Sequence, residues 1–272
     1  MAEQLGGYVV PLSALGRGDA PTAGGKGANL GELIRAGAPV PAGFVLTCAA
    51  YDAHLHHSGL SGHLAELLAA APDGSRARDA IRAADVPDSV VEHLREAYTR
   101  LVGDPTLGAV AVRSSASAED LPTAAMAGQH DTLLNVVGVP ALIEAVRECW
   151  ASLWTERAID YRQRRGISTQ AMAVVVQRMV PAEAAGVMFT ADPVTGARDV
   201  IVVDATAGLG DTLVSGMVTP DHLVLDKRNG RIRSVRTGTR DVLVRTRPGG
   251  GVDQAGGVTA TGDSGVGATT PA

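Results

Sequence analysis

The sequence predicts an α+β protein with a helical front half and a β-rich back half. Two observations support this fold class. Apolar residues recur at helical spacing in several segments before residue 166, whereas the segments after residue 171 are short and rich in β-branched residues. The chain has 272 residues, of which 45% are apolar, and this is enough for one large domain or two small lobes. We therefore expect two lobes with a cleft between them.

The composition of the chain argues against several classes of protein. A net charge of −5, without a basic patch that contains aromatic residues, argues against nucleic-acid binding. We find neither a signal-peptide pattern nor a run of about 18 apolar residues, so we expect a cytoplasmic protein with no membrane partner. Aromatic residues make up only 3%, which predicts a core of Ala, Val, Leu and Ile. Cys48 and Cys149 lie in apolar contexts and are expected to be buried, reduced thiols.

The front half begins with a predicted helix over residues 27–36. Leu30, Leu33 and Ile34 share one face of it, and Gly37 suits the position just after the helix, where a left-handed residue is favoured. The next patterns predict an extended segment, a helix, a polar loop and a second helix, over residues 40–47, 51–71, 72–75 and 90–101 respectively.

The middle of the chain combines one strand with one long helix. Residues 108–113 alternate small and β-branched side chains and predict a strand. Residues 114–129 are too rich in small residues to predict a regular element. A single helix is predicted over residues 141–165, because Trp150, Trp154 and other apolar residues recur there at helical spacing.

The back half is predicted to consist of strands followed by a disordered tail. Asn229-Gly230 between two apolar runs is a strong signal for a hairpin turn. From Pro248 nearly every residue is small or polar, so we expect a folded domain over residues 1–247 and a disordered tail over residues 248–272. The predicted strands cover residues 172–180, 186–190, 200–204 and 222–226.

Two segments contain cations where an anion could bind. Lys26 lies in a Gly-Gly-Lys-Gly run before the first predicted helix, where free N–H groups, glycines and a lysine suit a phosphate. The alternative is a flexible turn with a solvated lysine. Arg113 ends a predicted strand and is followed by serines, so that its guanidinium and the neighbouring hydroxyls could cradle a phosphate. The alternative is an ion pair between Arg113 and Glu119 or Asp120.

Three further segments could contribute to the same site. Gly128-Gln129 lies in a small-residue loop that could fold over phosphates, or could be an ordinary loop. Gln177 and Met179 end an apolar strand and could form a hinge that reads an adenine, or could belong to a core strand. Asp211 follows a glycine turn and could hold a ribose hydroxyl or Mg²⁺, or could lie in a connecting loop.

The order and the amino-acid sequences of these segments resemble those of one known family. The chain contains GGKGANLGEL, AVRSSASAEDLP, AGQHDTLLNV, VVVQRMV, GVMFTADPVTG and GLGDTLVSGMVTPD, in that order. In this respect residues 7–244 are similar to the N-terminal ATP-binding domain of phosphoenolpyruvate synthase, pyruvate phosphate dikinase and rifampicin phosphotransferase. The resemblance implies an ATP-grasp fold, whose two lobes clamp ATP and Mg²⁺. It also implies that ATP is split to AMP and phosphate, that the β-phosphoryl group moves to a histidine on a separate domain, and that pyruvate or rifampicin then accepts it.

The same resemblance implies roles for individual residues. Lys26 and Arg113 correspond to phosphate-contacting cations, and Gly128 and Gln129 lie in the loop that covers the phosphates. The adenine hinge corresponds to Gln177 and Met179, and the position of a ribose-contacting glutamate is taken by Asp211.

The chain also departs from the family pattern. The phosphate-covering loop usually reads Ser-Phe-Ala-Gly-Gln but here begins Ala125-Met126, and the aspartate at 211 is one methylene shorter than the family glutamate. The family domain continues with a late glutamate and a Gln-Asp-Ile-Glu-Trp-like segment, so we expect its C-terminal end to be incomplete here. No histidine follows His222, which predicts that a separate polypeptide supplies the phosphohistidine and the acceptor domain.

Three hypotheses about function follow from these observations. The chain is the ATP-binding component of a phosphotransferase, a non-catalytic nucleotide-binding module, or a remnant without a stable function. The first predicts that the chain binds ATP and supports turnover when a partner is present. The second predicts nucleotide binding without turnover, and the third predicts that the chain folds poorly.

Overall fold

The computed structural model describes residues 7–104, 106–116, 132–166, 171–239 and 242–256. The described residues form eight α-helices and eleven strands, which confirms the predicted α+β class with helices in the front half and strands in the back half. They divide into two compact units. The first comprises the residues up to Val180 together with Arg247–Gly251, and the second comprises Pro181–Thr246 and the residues from Val252 onward.

The first unit is built around a five-stranded sheet in which every neighbouring pair is antiparallel. The strand order is β1-β2-β5-β3-β4. These strands are β1 Val9–Pro11, β2 Gly43–Leu46, β3 Ala109–Ala116, β4 Thr132–Val137 and β5 Met172–Arg178. The helices are α1 Ala20–Arg35, α2 Cys48–His57, α3 Leu64–Ala70, α4 Ser75–Ala83, α5 Asp88–Val102, α6 Val139–Ser152 and α7 Glu156–Arg165.

Each face of this sheet covers a separate apolar cluster. The larger cluster includes residues from α2, α4, α5 and α6, whereas the smaller one lies beneath α1 and includes Ala23, Val45 and Val175. The prediction of a purely aliphatic core is wrong, because the largest fully buried side chains are aromatic: Trp150, Trp154, Tyr51 and Tyr98. Trp154 Nε1 donates a hydrogen bond to the Tyr51 hydroxyl over 2.9 Å, which satisfies a buried polar group.

The single helix predicted over residues 141–165 is wrong. The structure has two helices, α6 and α7, with a turn between Ser152 and Glu156. Thr155 caps α7, since its side-chain oxygen accepts a hydrogen bond from the Ala158 N–H. The chain changes direction at this cap, but its apolar residues keep the same helical spacing on both sides. The two helices therefore look like one in the sequence.

The helix predicted over residues 51–71 is also wrong as a single element. Its residues are divided between α2 and α3, and Gly59 between them has a left-handed backbone with φ +70°. By contrast, the end of α1 follows the prediction. Gly37 has φ +79°, its N–H bonds the Ile34 carbonyl, and the Ala38 N–H bonds the Leu33 carbonyl, as in a Schellman motif.

The second unit contains a four-stranded antiparallel sheet and a separate two-stranded sheet. The larger sheet has the order β6-β7-β8-β9. The predicted hairpin at Asn229-Gly230 is confirmed, because it joins the paired strands β8 and β9 and Gly230 has φ +69°. The elements are β6 Ala184–Phe189, β7 Val200–Ala207, α8 Asp211–Val214, β8 Asp221–Asp226, β9 Ile232–Arg236, β10 Val242–Thr246 and β11 Val252–Gly256.

Strand β11 falls inside the segment that the sequence predicts to be disordered. Val252 pairs with Thr246 and Gly256 with Val242, so residues 252–256 form a hairpin with β10. The prediction of disorder is therefore wrong for these residues, because backbone pairing stabilises a strand whose side chains alone give little apolar burial. Residues 248–251 form the turn between β10 and β11, and residues 257–272 lie outside the described residues.

Candidate functional site

The glycine-rich segment of α1 lies directly against the end of strand β3. Gly24 interrupts the helix with φ +69° and ψ 169°, a conformation that favours glycine. A Cβ atom built on Gly24 would lie only 2.0 Å from the carbonyl oxygen of Ser115. Helix α1 begins at Ala20, seven residues before the predicted start at residue 27. Its kink at Gly24 brings the Gly-Gly-Lys-Gly run against β3.

The side chain of Ser115 joins the two segments. Its Oγ accepts a hydrogen bond from the Gly27 N–H over 3.2 Å and donates one to the Ala23 carbonyl over 2.9 Å. Ser115 is fully buried. The sequence predicts that hydroxyls after Arg113 cradle a phosphate, but this hydroxyl is directed at the protein backbone instead.

Lys26 extends from the kinked turn to the same strand end. Its Nζ donates a hydrogen bond to the carbonyl oxygen of Ser114 over 3.0 Å, and the residue is half-buried. This hydrogen bond holds the end of the Lys26 side chain beside Ser114 of β3. Lys26 is not the freely solvated side chain of the alternative interpretation.

Arg113 precedes Ser114 on β3. It lies opposite Val175 of β5 and Thr132 of β4 and is half-buried. Because side chains alternate along a strand, Arg113 shares a face with Ser115, the face that packs beneath α1. Lys26 is thus brought to the residue that follows Arg113. The prediction that Arg113 ends the strand is wrong, because pairing with β5 continues β3 to Ala116. The alternative partners Glu119 and Asp120 lie outside the described residues.

Gln177 and Met179 lie on the neighbouring strand and just beyond it. Gln177 pairs with Ala111, two residues from Arg113, and its Nε2 donates to the Pro41 carbonyl over 3.0 Å. Met179 is half-buried, and its N–H donates to the Ala109 carbonyl over 3.0 Å. Both residues therefore form hydrogen bonds that hold the end of β5 to neighbouring segments of the chain.

Three further predicted residues do not belong to the described part of the first unit. Asp211 is the exposed first residue of the four-residue helix α8 in the second unit. Gly128 and Gln129 lie outside the described residues.

The second unit has an open pocket that sequence reasoning missed. Its cavity volume is about 380 Å³. Glu183 before β6, Leu209 before α8 and Arg245 of β10 are among its lining residues. Nothing in the sequence signals this grouping, because it depends on β10 lying beside the end of β7: the Leu209 N–H bonds the Val244 carbonyl over 3.1 Å.

The two cysteines of the first unit are buried and form no disulfide. The prediction of buried reduced thiols is confirmed for both Cys48 and Cys149. Burial, together with the nearby Asp52 carboxylate, raises the pKa of the Cys48 thiol to about 11. A thiol with such a pKa is neutral at physiological pH and therefore a poor nucleophile.

The part of the chain that the structure describes contains neither a cluster of metal ligands nor a membrane-spanning helix. Within those residues, no group of three or more His, Cys, Asp or Glu side chains could hold a metal ion. The residues that would bind Mg²⁺ are thus not identified, and Mg²⁺ stays a prediction. None of the described helices combines the length and the apolar character needed to cross a bilayer.

Comparison with known proteins identifies the family. Residues 20–257 match the family described as pyruvate phosphate dikinase, AMP/ATP-binding domain. The match covers most of the chain, so the protein belongs to this family of ATP-binding domains. The resemblance noted in the sequence is therefore confirmed, together with the ATP-grasp-like α+β fold.

Individual relatives agree with this assignment. The chain is 42% identical over 89% of its length to the probable phosphoenolpyruvate synthase of Methanothermobacter thermautotrophicus, and 38% identical over 89% to the phosphoenolpyruvate synthase of Pyrococcus furiosus. It is 46% identical over 86% of its length to the rifampicin phosphotransferase of Streptomyces sviceus. These matches cover 37%, 35% and 28% of the three relatives, so the chain spans about a third of their length.

Proposed function

We propose that this chain performs the nucleotide-dependent half of a phosphotransfer reaction, with Lys26 and Arg113 as the cations that contact the phosphates of ATP. The observation that supports this most directly is that Lys26 Nζ bonds the carbonyl oxygen of Ser114, the residue that follows Arg113 on β3. Gly128, Gln129, Gln177, Met179 and Asp211 are proposed as further nucleotide contacts.

The two cations suit the chemistry of a polyphosphate. Phosphoryl transfer depends on positioning and on neutralising negative charge rather than on covalent help from the protein. An arginine offers a planar fork for two phosphate oxygens, whereas a lysine acts as a point charge. One cation of each kind beside the same segment of β3 would supply both kinds of contact to a polyphosphate.

The proposal extends to the steps that follow the binding of ATP. We propose that ATP is split to AMP and phosphate, and that the β-phosphoryl group moves to a histidine on a separate polypeptide. The names of the relatives suggest pyruvate or a rifampicin-like compound as the final acceptor. Mg²⁺ is proposed to bind with ATP, but no step is assigned to it because its ligands are not identified among the described residues.

A non-catalytic nucleotide-binding module is the second candidate. It is favoured by the lack of a carboxylate cluster for a metal ion among the described residues. Such a module would bind ATP with the same cations but would transfer no phosphoryl group.

Transfer of label from ATP distinguishes the two candidates. The chain is mixed with ATP labelled at the β-phosphate and with the remaining portion of the Streptomyces sviceus rifampicin phosphotransferase, and phosphohistidine and AMP are measured. The proposal predicts label on that portion only when this chain is present, and none with Lys26→Ala. Binding of ATP without any transfer would support the non-catalytic module instead.

A further inference from the structure

We propose that Ser115 is a positioning residue that closes the kinked turn of α1 at Gly24 and so holds Lys26 beside the segment of β3 that contains Arg113. This inference rests on the function proposed above for Lys26 and Arg113. Ser115 itself is not expected to touch the nucleotide, because its side chain is fully buried and its hydroxyl bonds the protein backbone.

The two partners of the Ser115 hydroxyl show what it replaces. In a continuous α-helix the N–H of one residue bonds the carbonyl four residues earlier. Ala23 and Gly27 are such a pair, but Gly24 between them has non-helical backbone angles. Ser115 Oγ is inserted at this point, since it donates to the Ala23 carbonyl over 2.9 Å and accepts from the Gly27 N–H over 3.2 Å. A side chain inserted in this way is a known cause of a helix kink.

The residues enclosed by this bridge are Gly24, Gly25 and Lys26. Gly24 permits the approach, because a Cβ there would lie 2.3 Å from Ser115 Oγ. Lys26 leaves the turn to reach the carbonyl of Ser114, the residue next to Ser115. The same short segment of β3 therefore holds the turn with a side chain and the lysine with a carbonyl oxygen.

Loss of the Ser115 hydroxyl should change the position of Lys26 and leave that of Arg113 unchanged. Without it, the Gly27 N–H and the Ala23 carbonyl lose a buried partner, which favours rearrangement of the turn. Lys26 would then lose its fixed position. Arg113 is held by the pairing of β3 with β4 and β5, which does not involve this hydroxyl.

A double-mutant cycle tests this role. ATP binding is measured by calorimetry for the wild type, Ser115→Ala, Lys26→Ala and the double variant. We expect Ser115→Ala to weaken binding about tenfold, and to have almost no further effect once Lys26 is alanine. A purely structural serine would weaken binding by the same factor in both backgrounds, and that result would overturn the proposal.

A matched control removes a buried serine elsewhere in the same unit. Ser152 is also buried, and its Oγ donates to the Cys149 carbonyl over 2.7 Å. Ser152→Ala is expected to lower thermal stability without changing the affinity for ATP. Ser115→Cys provides a second variant at the site itself, since it keeps a weak hydrogen-bonding group and should weaken binding less than alanine does.

Amide hydrogen exchange separates failure of this proposal from failure of the proposed function. If the wild type does not bind ATP, the function assigned to Lys26 and Arg113 is wrong, but the bridge can still be measured. We expect exchange at the Gly27 N–H to become at least about tenfold faster in Ser115→Ala than in the wild type, and to be unchanged in Ser152→Ala. Equal protection of Gly27 in all three proteins would overturn the proposal, whether or not ATP binds.

Discussion

Gly24 lies so close to the end of β3 that any side chain there would overlap the Ser115 backbone. The Cβ of an alanine would be 2.0 Å from the Ser115 carbonyl oxygen, and the φ of +69° is itself unfavourable for alanine. Gly24→Ala is therefore expected to lower the free energy of unfolding by about 2–4 kcal/mol. Chemical denaturation of the wild type and the variant measures this difference.

Gly18 offers a control for the loss of a glycine. A Cβ built there meets nothing within 4 Å. Gly18→Ala is expected to change the stability by less than about 0.5 kcal/mol. Equal effects of the two substitutions would show that the close approach at Gly24 does not exist in solution.

His54 is a buried residue whose charge state should affect stability. Its ring stacks on Trp150 with 4.9 Å between centroids, and the residue is fully buried. Burial lowers the pKa of His54, and the positive charges of Arg147 and His57 lower it further, while the carbonyls of Ile81 and Asp85 partly oppose the shift. The folded protein therefore favours the neutral ring.

The sign of this shift predicts a loss of stability in acid. The unfolded chain takes up a proton near the ordinary histidine pKa of about 6.5, whereas the folded protein resists it until a lower pH. The unfolding free energy should thus fall as the pH drops from 7 toward 5, by at most about 1.4 kcal/mol per pH unit from this group. His54→Phe keeps a ring against Trp150 and should flatten the pH dependence of the urea midpoint. An unchanged slope in this variant would exclude His54 as the cause.

At the level of elements, the junction of α6 and α7 depends on one capping residue. Thr155 accepts a hydrogen bond from the Ala158 N–H at the start of α7. Thr155→Ala is expected to cost about 1 kcal/mol, and Thr155→Asp, which keeps a capping oxygen, should retain most of the stability. Thermal unfolding of both variants measures the contribution of the cap, and equal losses in the two would argue against it.

The sequence predicts elements well where local chemistry determines them. The end of α1 at Gly37 and the hairpin at Asn229-Gly230 follow from left-handed backbone preferences that are local to those residues. The division of residues 141–165 into two helices was missed because its signal, the cap at Thr155, lies inside an unbroken apolar repeat. Strand β11 was missed because its stability comes from backbone pairing with β10, which composition does not report.

The candidate site could be predicted only in part for a similar reason. Lys26 and Arg113 are recognisable from the residues around them, but 86 positions separate them from one another along the chain. The contact of the glycine turn with Ser115 depends on tertiary packing across that separation. No local pattern distinguishes Ser115 from the other serines that follow Arg113.

At the scale of the whole molecule, the second unit presents an apolar row on one face of its larger sheet. Four residues lie directly opposite one another on consecutive strands: Met188, Val203, Leu223 and Val235. The two outer side chains are open to solvent, since Met188 is 64% and Val235 57% exposed. Contiguous apolar surface of this kind favours association with apolar molecules.

Binding of a hydrophobic dye should report this row. The double variant Met188→Lys, Val235→Lys is expected to bind such a dye with about half the fluorescence gain of the wild type, because it removes the exposed ends of the row. Val194→Lys changes a residue that is 91% exposed but lies outside the row, and it should leave the signal unchanged. Equal signals from all three proteins would mean that the row is covered in solution.

The most direct test of the central claim is calorimetric titration of the chain with ATP, with and without Mg²⁺, for the wild type, Lys26→Ala and Arg113→Ala. Lys227→Ala is the matched control, because its Nζ also donates to a backbone carbonyl, that of Thr190, but lies in the second unit. We predict that the wild type and the control bind ATP alike, and that each of the other two variants binds roughly tenfold to a hundredfold more weakly. A folded wild type that does not bind ATP, or binding that is unaffected by both substitutions, would contradict the claim that these two cations form the phosphate site.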